Sequence, residues 1–304
     1  MIDGALLLDK PLGLSSNAAL QKAKRLFGAA KAGHAGTLDP LASGLLLVLF
    51  GEATKFAGPL LDADKEYLAS LKLGERTATG DAEGAVLEAR EVSVTDTALA
   101  AALERFHGEI EQVPPMHSAL KHKGTPLYRL ARRGQEVERA ARRVRVSTLQ
   151  VVSFERPALV LRVVCSKGTY IRVLAEDIGE ALGCGAHLSG LRRTASGRFR
   201  VEQGASLEAL ETMQAEERLK RLLPLAALLD GLPRAELGTA EETRLRQGQA
   251  LKISGLHPGM CAVVRADGGV IGLGSADGEG NLRPLRLTQA AEKHLKSAAH
   301  TKRE

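Results

Sequence analysis

The sequence predicts a mixed α+β fold: one large sheet domain followed by a small β module. Three observations lead there. Short apolar runs with the texture of strands are interleaved with helical stretches, but without the regular strand–helix–strand alternation of a doubly wound parallel sheet. Residues 261–287 break into short β-like segments separated by glycines, as in a small barrel. At 304 residues the chain is long enough for one sizeable core and one small one.

Residues 5–8 read as a strand that stops at the turn signal Asp9-Lys10-Pro11-Leu12-Gly13. Ser15, Ser16 and Asn17 offer an N-cap for a helix over 18–27, closed at Gly28. Residues 45–50 are continuous Leu, Val and Phe between two glycines, the pattern of a buried strand. Further strands are expected at 66–73, 149–152 and 158–165, and helices at 99–106 and 171–182, the latter with Gly183 just past its end. Residues 222–232, with Pro224 and Pro233 near the ends, mark a domain junction. The expected division is 1–232, 233–290 and a basic tail at 291–304, loosely helical or disordered.

Hydrophobic residues at 44% and charged residues at 26% are ordinary for a soluble globular chain. Aromatics reach only 3% with no Trp, which argues against a surface built from many stacking rings. The longest apolar run is too short to span a bilayer, and the acidic start Met1-Ile2-Asp3 does not resemble a secretory signal, so a cytoplasmic protein is expected. Cys165, Cys184 and Cys261 lie far apart and form no C-x-x-C pair, so neither disulfides nor zinc are implied. The net charge of +6 is concentrated: residues 114–145 hold nine basic side chains, including Lys121, Arg132, Arg142 and Arg143, against two acids. Arg192, Arg193, Arg198 and Arg200 form a second basic stretch. Positive charge gathered on an otherwise neutral body suits a polyanion, although a solvated basic loop has the same composition.

The densest motif is His34-Ala-Gly-Thr-Leu-Asp39-Pro40-Leu-Ala-Ser-Gly44, leading into the apolar run. Pro40 pushes Asp39 out of helical geometry, and an acid on a loop at the mouth of a buried strand is a candidate catalytic group. An Asp-Pro pair alone is more often a simple turn initiator. Residues 34–55, HAGTLDPLASGLLLVLFGEATK, closely resemble the signature of the TruB family of tRNA pseudouridine-55 synthases. The resemblance extends in order through Asp9-Lys10-Pro11-x-Gly13-x-Ser15-Ser16, Asp64-Lys65-Glu66-Tyr67, Thr77-x-Thr79-Gly80-Asp81, Pro114-Pro115-Met116-His117-Ser118-Ala119-Leu120-Lys121, Lys167-Gly168-Thr169-Tyr170-Ile171-Arg172 and Leu191-Arg192-Arg193-Thr194. It covers residues 9 to about 200.

That resemblance implies a pseudouridine synthase fold: a mixed, mainly antiparallel sheet with flanking helices and a small C-terminal PUA-like barrel, though the barrel match is weaker. It implies isomerisation of uridine 55 in the T loop of tRNA, with Asp39 as the catalytic carboxylate. Arg172 would keep Asp39 ionised and oriented, against the tendency of burial to raise its pKa. A cation in the first turn of a helix opposes the dipole, which points the same way. Tyr67, Tyr170 and Leu191 would line the base pocket, and His34 would fill the gap left by the flipped nucleotide. Residues 114–145 correspond to an inserted flap that closes on the T loop. Lys10, Lys121, Arg132, Arg142, Arg143 and Arg192 are the candidate RNA contacts. His117 departs from the family, where tyrosine is more usual.

The reaction neither gains atoms nor changes oxidation state, so no metal or cofactor is expected, and no P-loop, G-x-G-x-x-G or H-E-x-x-H is present. Attack on uracil C6, attack on ribose C1′ and a glycal-forming elimination all require a carboxylate at Asp39. The expected partner is tRNA, bound by T arm and elbow, with the protein a monomer. A tRNA-folding chaperone role, with or without turnover, is the alternative. A glycoside hydrolase would need a second carboxylate across the site, and none stands out.

Overall fold

The computed structural model describes residues 2–118 and 120–289; the predicted tail at 291–304 lies outside the described residues. The principal strands are β1 (Gly4–Lys10), β2 (Ala32–Ala35), β3 (Ala42–Phe50), β4 (Lys65–Leu73), β5 (Gly108–Gln112), β6 (Arg142–Glu155), β7 (Ala158–Cys165) and β8 (Ala186–Ser196). They run through one 11-stranded sheet in the order β1-β3-β8-β4-β7-β6-β5, with β2 paired to β3 as a branch. Among these neighbours only β3 and β8 are parallel, Leu191 facing Ala42 and Arg193 facing Gly44. The sheet is therefore mixed and mainly antiparallel, as the resemblance implies.

β3 is apolar on both faces because both are covered. Leu46, Val48 and Phe50 meet helix α1 (Ser16–Leu26) through Ala19, Leu20 and Ala23. Leu45, Leu47 and Leu49 point the other way, onto Phe56 and onto Ala262 and Leu273 of the C-terminal module. Each buried Leu contributes about 1.5–3 kcal/mol relative to exposure. The far half of the sheet buries Ala69, Leu71, Leu161 and Val163 against Ile171, Leu174 and Ile178 of helix α2 (Ile171–Ala181). The module itself is a second sheet of five strands, built mainly from Gly259–Arg265, Val270–Ala276 and Asn281–Leu287 around Val263, Ile271 and Leu282.

Three predicted boundaries move for physical reasons. β1 continues through Asp9 and Lys10 because Lys10 still pairs with Gly44. The strand expected at 149–152 begins at Arg142: Val144 and Val146 are buried while Arg143 and Arg145 between them are exposed, a period-two pattern hidden by the charges. The basic insertion thus ends in the sheet, with Arg142 paired to Gln112 and Arg143 to Glu111, and only residues before it belong to a flap. Finally, the 222–232 junction is itself woven in, Leu222 and Leu223 pairing with Leu6 and Ala5.

Candidate active site

Asp39 sits on a turn between β2 and β3, two strands that pair with each other from Ala32–Phe50 to Ala35–Leu47. The N-terminal segment cradles that turn. The hydroxyl of Ser16, 2% exposed, accepts from Leu38 N at 2.7 Å and donates to Leu38 O at 2.9 Å. Gly13 N donates to Pro40 O at 2.9 Å, and Ala42 N closes the turn onto Asp39 O at 3.0 Å. Ser15 caps α1, accepting from Ala18 N, as its position before the helix predicts.

Arg172 occupies the first turn of α2 and reaches back to Asp39, Nη2 lying 3.0 Å from Oδ2. Its guanidinium also faces Asp81 at 3.6 Å, and donates to Thr79 O at 3.2 Å and His117 O at 2.6 Å. One buried cation therefore joins the turn, the Thr79–Asp81 loop and the flap. A planar fork can do this where a lysine cannot. Tyr170 caps the same helix; buried Gln112 holds its backbone from both sides, accepting from Tyr170 N at 3.0 Å and donating to Tyr170 O at 3.3 Å.

These groups surround a cavity of about 690 Å³ lined by Asp39, Tyr67, Tyr170, Arg172 and Leu191, with Ser118 and Leu120 of the flap over it. It is roomy enough for a nucleotide, with an apolar wall against a charged one. Burial raises the Tyr67 phenol above its ordinary pKa, with the Arg193 charge opposing the rise. An adjoining cavity of about 580 Å³ shares Asp39, Ser118 and Arg172 and is lined by Asn17, His34, Tyr128 and Arg132. Burial, then the Arg193 charge, lowers the His34 imidazole below 6.5. His34 Nδ1 and Ser118 Oγ are buried without partners among the described residues. Two polar atoms in that condition beside a groove suit a polar ligand.

The candidate phosphate contacts divide. Lys121 is exposed on a short hairpin, and Arg132 is exposed with its guanidinium 5.8 Å from the Tyr128 ring centroid. Arg142 and Arg143 are exposed on β6, Arg143 facing Glu111. Arg192 forms a two-point ion pair with Asp9, at 2.7 and 3.0 Å. Lys10 does not fit the role expected of it. It is fully buried, and its ammonium donates to Pro11 O and Leu14 O at 2.9 and 2.6 Å, behind the Asp39 turn. Burial brings its pKa down to about 8. Ser16 and Arg193, which also touch the Asp39 segment, stand inside the resembling motifs, but the sequence gives them no role beyond a helix cap and one arginine among four.

The chain matches known proteins over nearly its whole length. Residues 24–171 match the model for the TruB family pseudouridylate synthase N-terminal domain. Residues 172–230 match the tRNA pseudouridylate synthase B C-terminal domain, and 233–288 the pseudouridine synthase II TruB C-terminal model. The tRNA pseudouridine synthase B of Burkholderia mallei (strain NCTC 10247) is 56% identical over 293 residues, covering 94% of this chain and 97% of its own. That of Dechloromonas aromatica (strain RCB) is 53% identical over 291 residues, covering 96% and 97%. Among solved structures, a chain of a Cbf5-Nop10-Gar1 complex superposes with TM-score 0.73 at 28% identity, over 94% of this chain and 84% of that one. A chain of an H/ACA RNP bound to a substrate RNA containing 2′-deoxyuridine does so with TM-score 0.69 at 26% identity, over 94% and 83%. On sequence and on fold, this chain belongs to the TruB family of pseudouridylate synthases.

Proposed function

We propose that the chain isomerises uridine 55 in the T loop of tRNA to pseudouridine. The observation that carries this reading is the Asp39–Arg172 pair, 3.0 Å apart at the wall of a nucleotide-sized cavity. Its relatives' names support the substrate class. The reaction breaks the ribose C1′–uracil N1 bond, turns the base, and forms C1′–C5. The C5 proton leaves and N1 ends protonated, so the change is an isomerisation.

The chain's residues supply what those steps need. The side chain of Asp39 is half-exposed to the cavity and free on one oxygen side to meet the sugar or the base, while Arg172 fixes its orientation. Tyr67 and Leu191 offer a flat apolar wall for a flipped base. The raised phenol of Tyr67 stays protonated through neutral pH and can donate a hydrogen bond to the turning ring. Flipping costs a few kcal/mol, offset by the cations of residues 121–133 on the RNA backbone and by His34 in the adjoining groove. We propose that the partner surface takes the T arm and elbow of tRNA, and that a monomer suffices.

A tRNA-folding role without turnover would use the same flap and groove. The complete set of Asp39, Arg172 and Tyr67 around one cavity favours turnover, and folding assistance can accompany it. The test is to incubate purified chain with a T-arm stem-loop, without added cofactor, and map pseudouridine. Conversion at the T-loop uridine, and none when that uridine is moved to the stem, supports the assignment. Tight binding with no conversion assigns the holding role instead.

A further inference from the structure

A carboxylate is only as well placed as the segment that carries it, and one buried side chain holds both ends of the 36–45 segment. Arg193 is 1% exposed. Its Nε donates to Leu45 O at 2.7 Å, beyond Asp39 in the chain. Its Nη2 donates to Gly36 O at 3.1 Å and its Nη1 reaches Thr37 O at 3.5 Å, both before Asp39. The guanidinium is therefore a brace across the base of the loop whose tip bears the carboxylate.

Two glycines of the motif match that brace. A methyl group added at Gly36 would lie 3.2 Å from Arg193 Nη1, and one at Gly44 would collide with the Arg193 main chain where β3 and β8 pair. Both glycines have positive φ, +93° and +99°, which a side chain rarely tolerates. Among the described residues, the hydrogen bonds of Arg193 to neighbours in the loop all go to main-chain carbonyls. Its charge also disfavours the charged forms of Lys10, Lys65 and His34 nearby. An apolar residue of similar volume could not bind both ends of the turn and would leave those carbonyls without donors.

We propose that Arg193 is a positioning residue, whose forked guanidinium staples the two ends of the 36–45 segment and so fixes Asp39 against Arg172 and the reacting nucleotide. Its effect on rate rests on the activity proposed above; the staple itself has a readout of its own. Arg193→Lys keeps the charge and loses the fork, and Arg193→Met loses both. For each, kcat and KM on the T-arm stem-loop, Kd for the RNA, Tm, and amide hydrogen exchange over 36–45 are compared with wild type.

The expected result is a kcat about a hundredfold lower in both variants, KM and Kd close to wild type, a Tm lowered with folding and binding intact, and faster exchange over 36–45. Wild-type kcat in Arg193→Lys overturns the staple, because charge alone then suffices. A weaker Kd with unchanged kcat overturns it in favour of an RNA contact, and a collapsed Tm with loss of binding overturns it in favour of general support of the fold. Should Arg193→Met not fold, Arg193→Lys decides alone. If wild type converts no uridine, the function proposed above fails and exchange decides: faster in Arg193→Lys upholds the staple, unchanged overturns it.

Discussion

The ammonium of Lys65, at the floor of the cavity, donates to Leu60 O and Leu61 O at 3.3 and 2.6 Å, and to Ala63 O. Burial first, then the Arg193 charge, lowers its pKa from 10.5 to about 8. The folded chain therefore releases this proton while the unfolded chain still holds it, and stability rises as pH climbs from about 8 to 10.5. In denaturant titrations wild type should gain on Lys65→Met across that window, by up to about 3 kcal/mol; curves that stay parallel contradict it. Arg172→Lys replaces a fork serving Asp39, Asp81 and two carbonyls with a point charge. Single-turnover conversion should fall about 100- to 1000-fold, with RNA affinity near wild type. Asp39, Arg172 and Tyr67 were legible in the sequence because their motifs are dense and collinear. Ser16 and Arg193 stand in the same motifs, but their part was not legible, since nothing in a one-dimensional string shows a hydroxyl bonded to residue 38 or a guanidinium bonded to residues 36 and 45.

At the scale of elements, β3 and α2 bring the two halves of the site together: β3 carries the Asp39 turn at its mouth, and α2 begins with Arg172. Both were readable from apolar runs and caps. The first half of β6 was not, because arginines outnumber valines where it begins and the alternation was masked by charge. Among the described residues, the flap before it is tied to the site by the bond from Arg172 to His117 O, with Ser118 and Leu120 lining the cavity. Its exposed cations should set the salt dependence of RNA binding. Replacing Arg132 and Arg133 by alanine should flatten the plot of log Kd against log salt by about 0.7–0.9 for each phosphate no longer neutralised, while conversion at saturating RNA changes little. An unaltered slope would place the RNA elsewhere.

Across the whole molecule, the C-terminal sheet shares a core with the catalytic sheet. Ala262 and Leu273 pack with Leu47 and Phe56, Lys55 Nζ donates to Leu287 O at 2.9 Å, and Glu52 accepts from Gln289 N at 2.5 Å. The sequence showed a β-rich module after a proline-flanked stretch, but burial shared between segments distant in the chain has no local pattern. Calorimetry should therefore show one cooperative transition. Phe56→Ala, at the shared core and 0% exposed, should destabilise the whole by about 3–5 kcal/mol. Two separate transitions in wild type would contradict the shared core.

The most direct measurement compares wild type and Asp39→Asn on a uridine-containing T-arm stem-loop, scoring pseudouridine at the T-loop site and binding in parallel. The substitution keeps the size of the side chain beside Arg172 and removes its charge. Conversion by wild type, with Asp39→Asn binding the RNA and leaving it unchanged, is the predicted result. Conversion by Asp39→Asn at the wild-type rate would contradict the role assigned to the carboxylate.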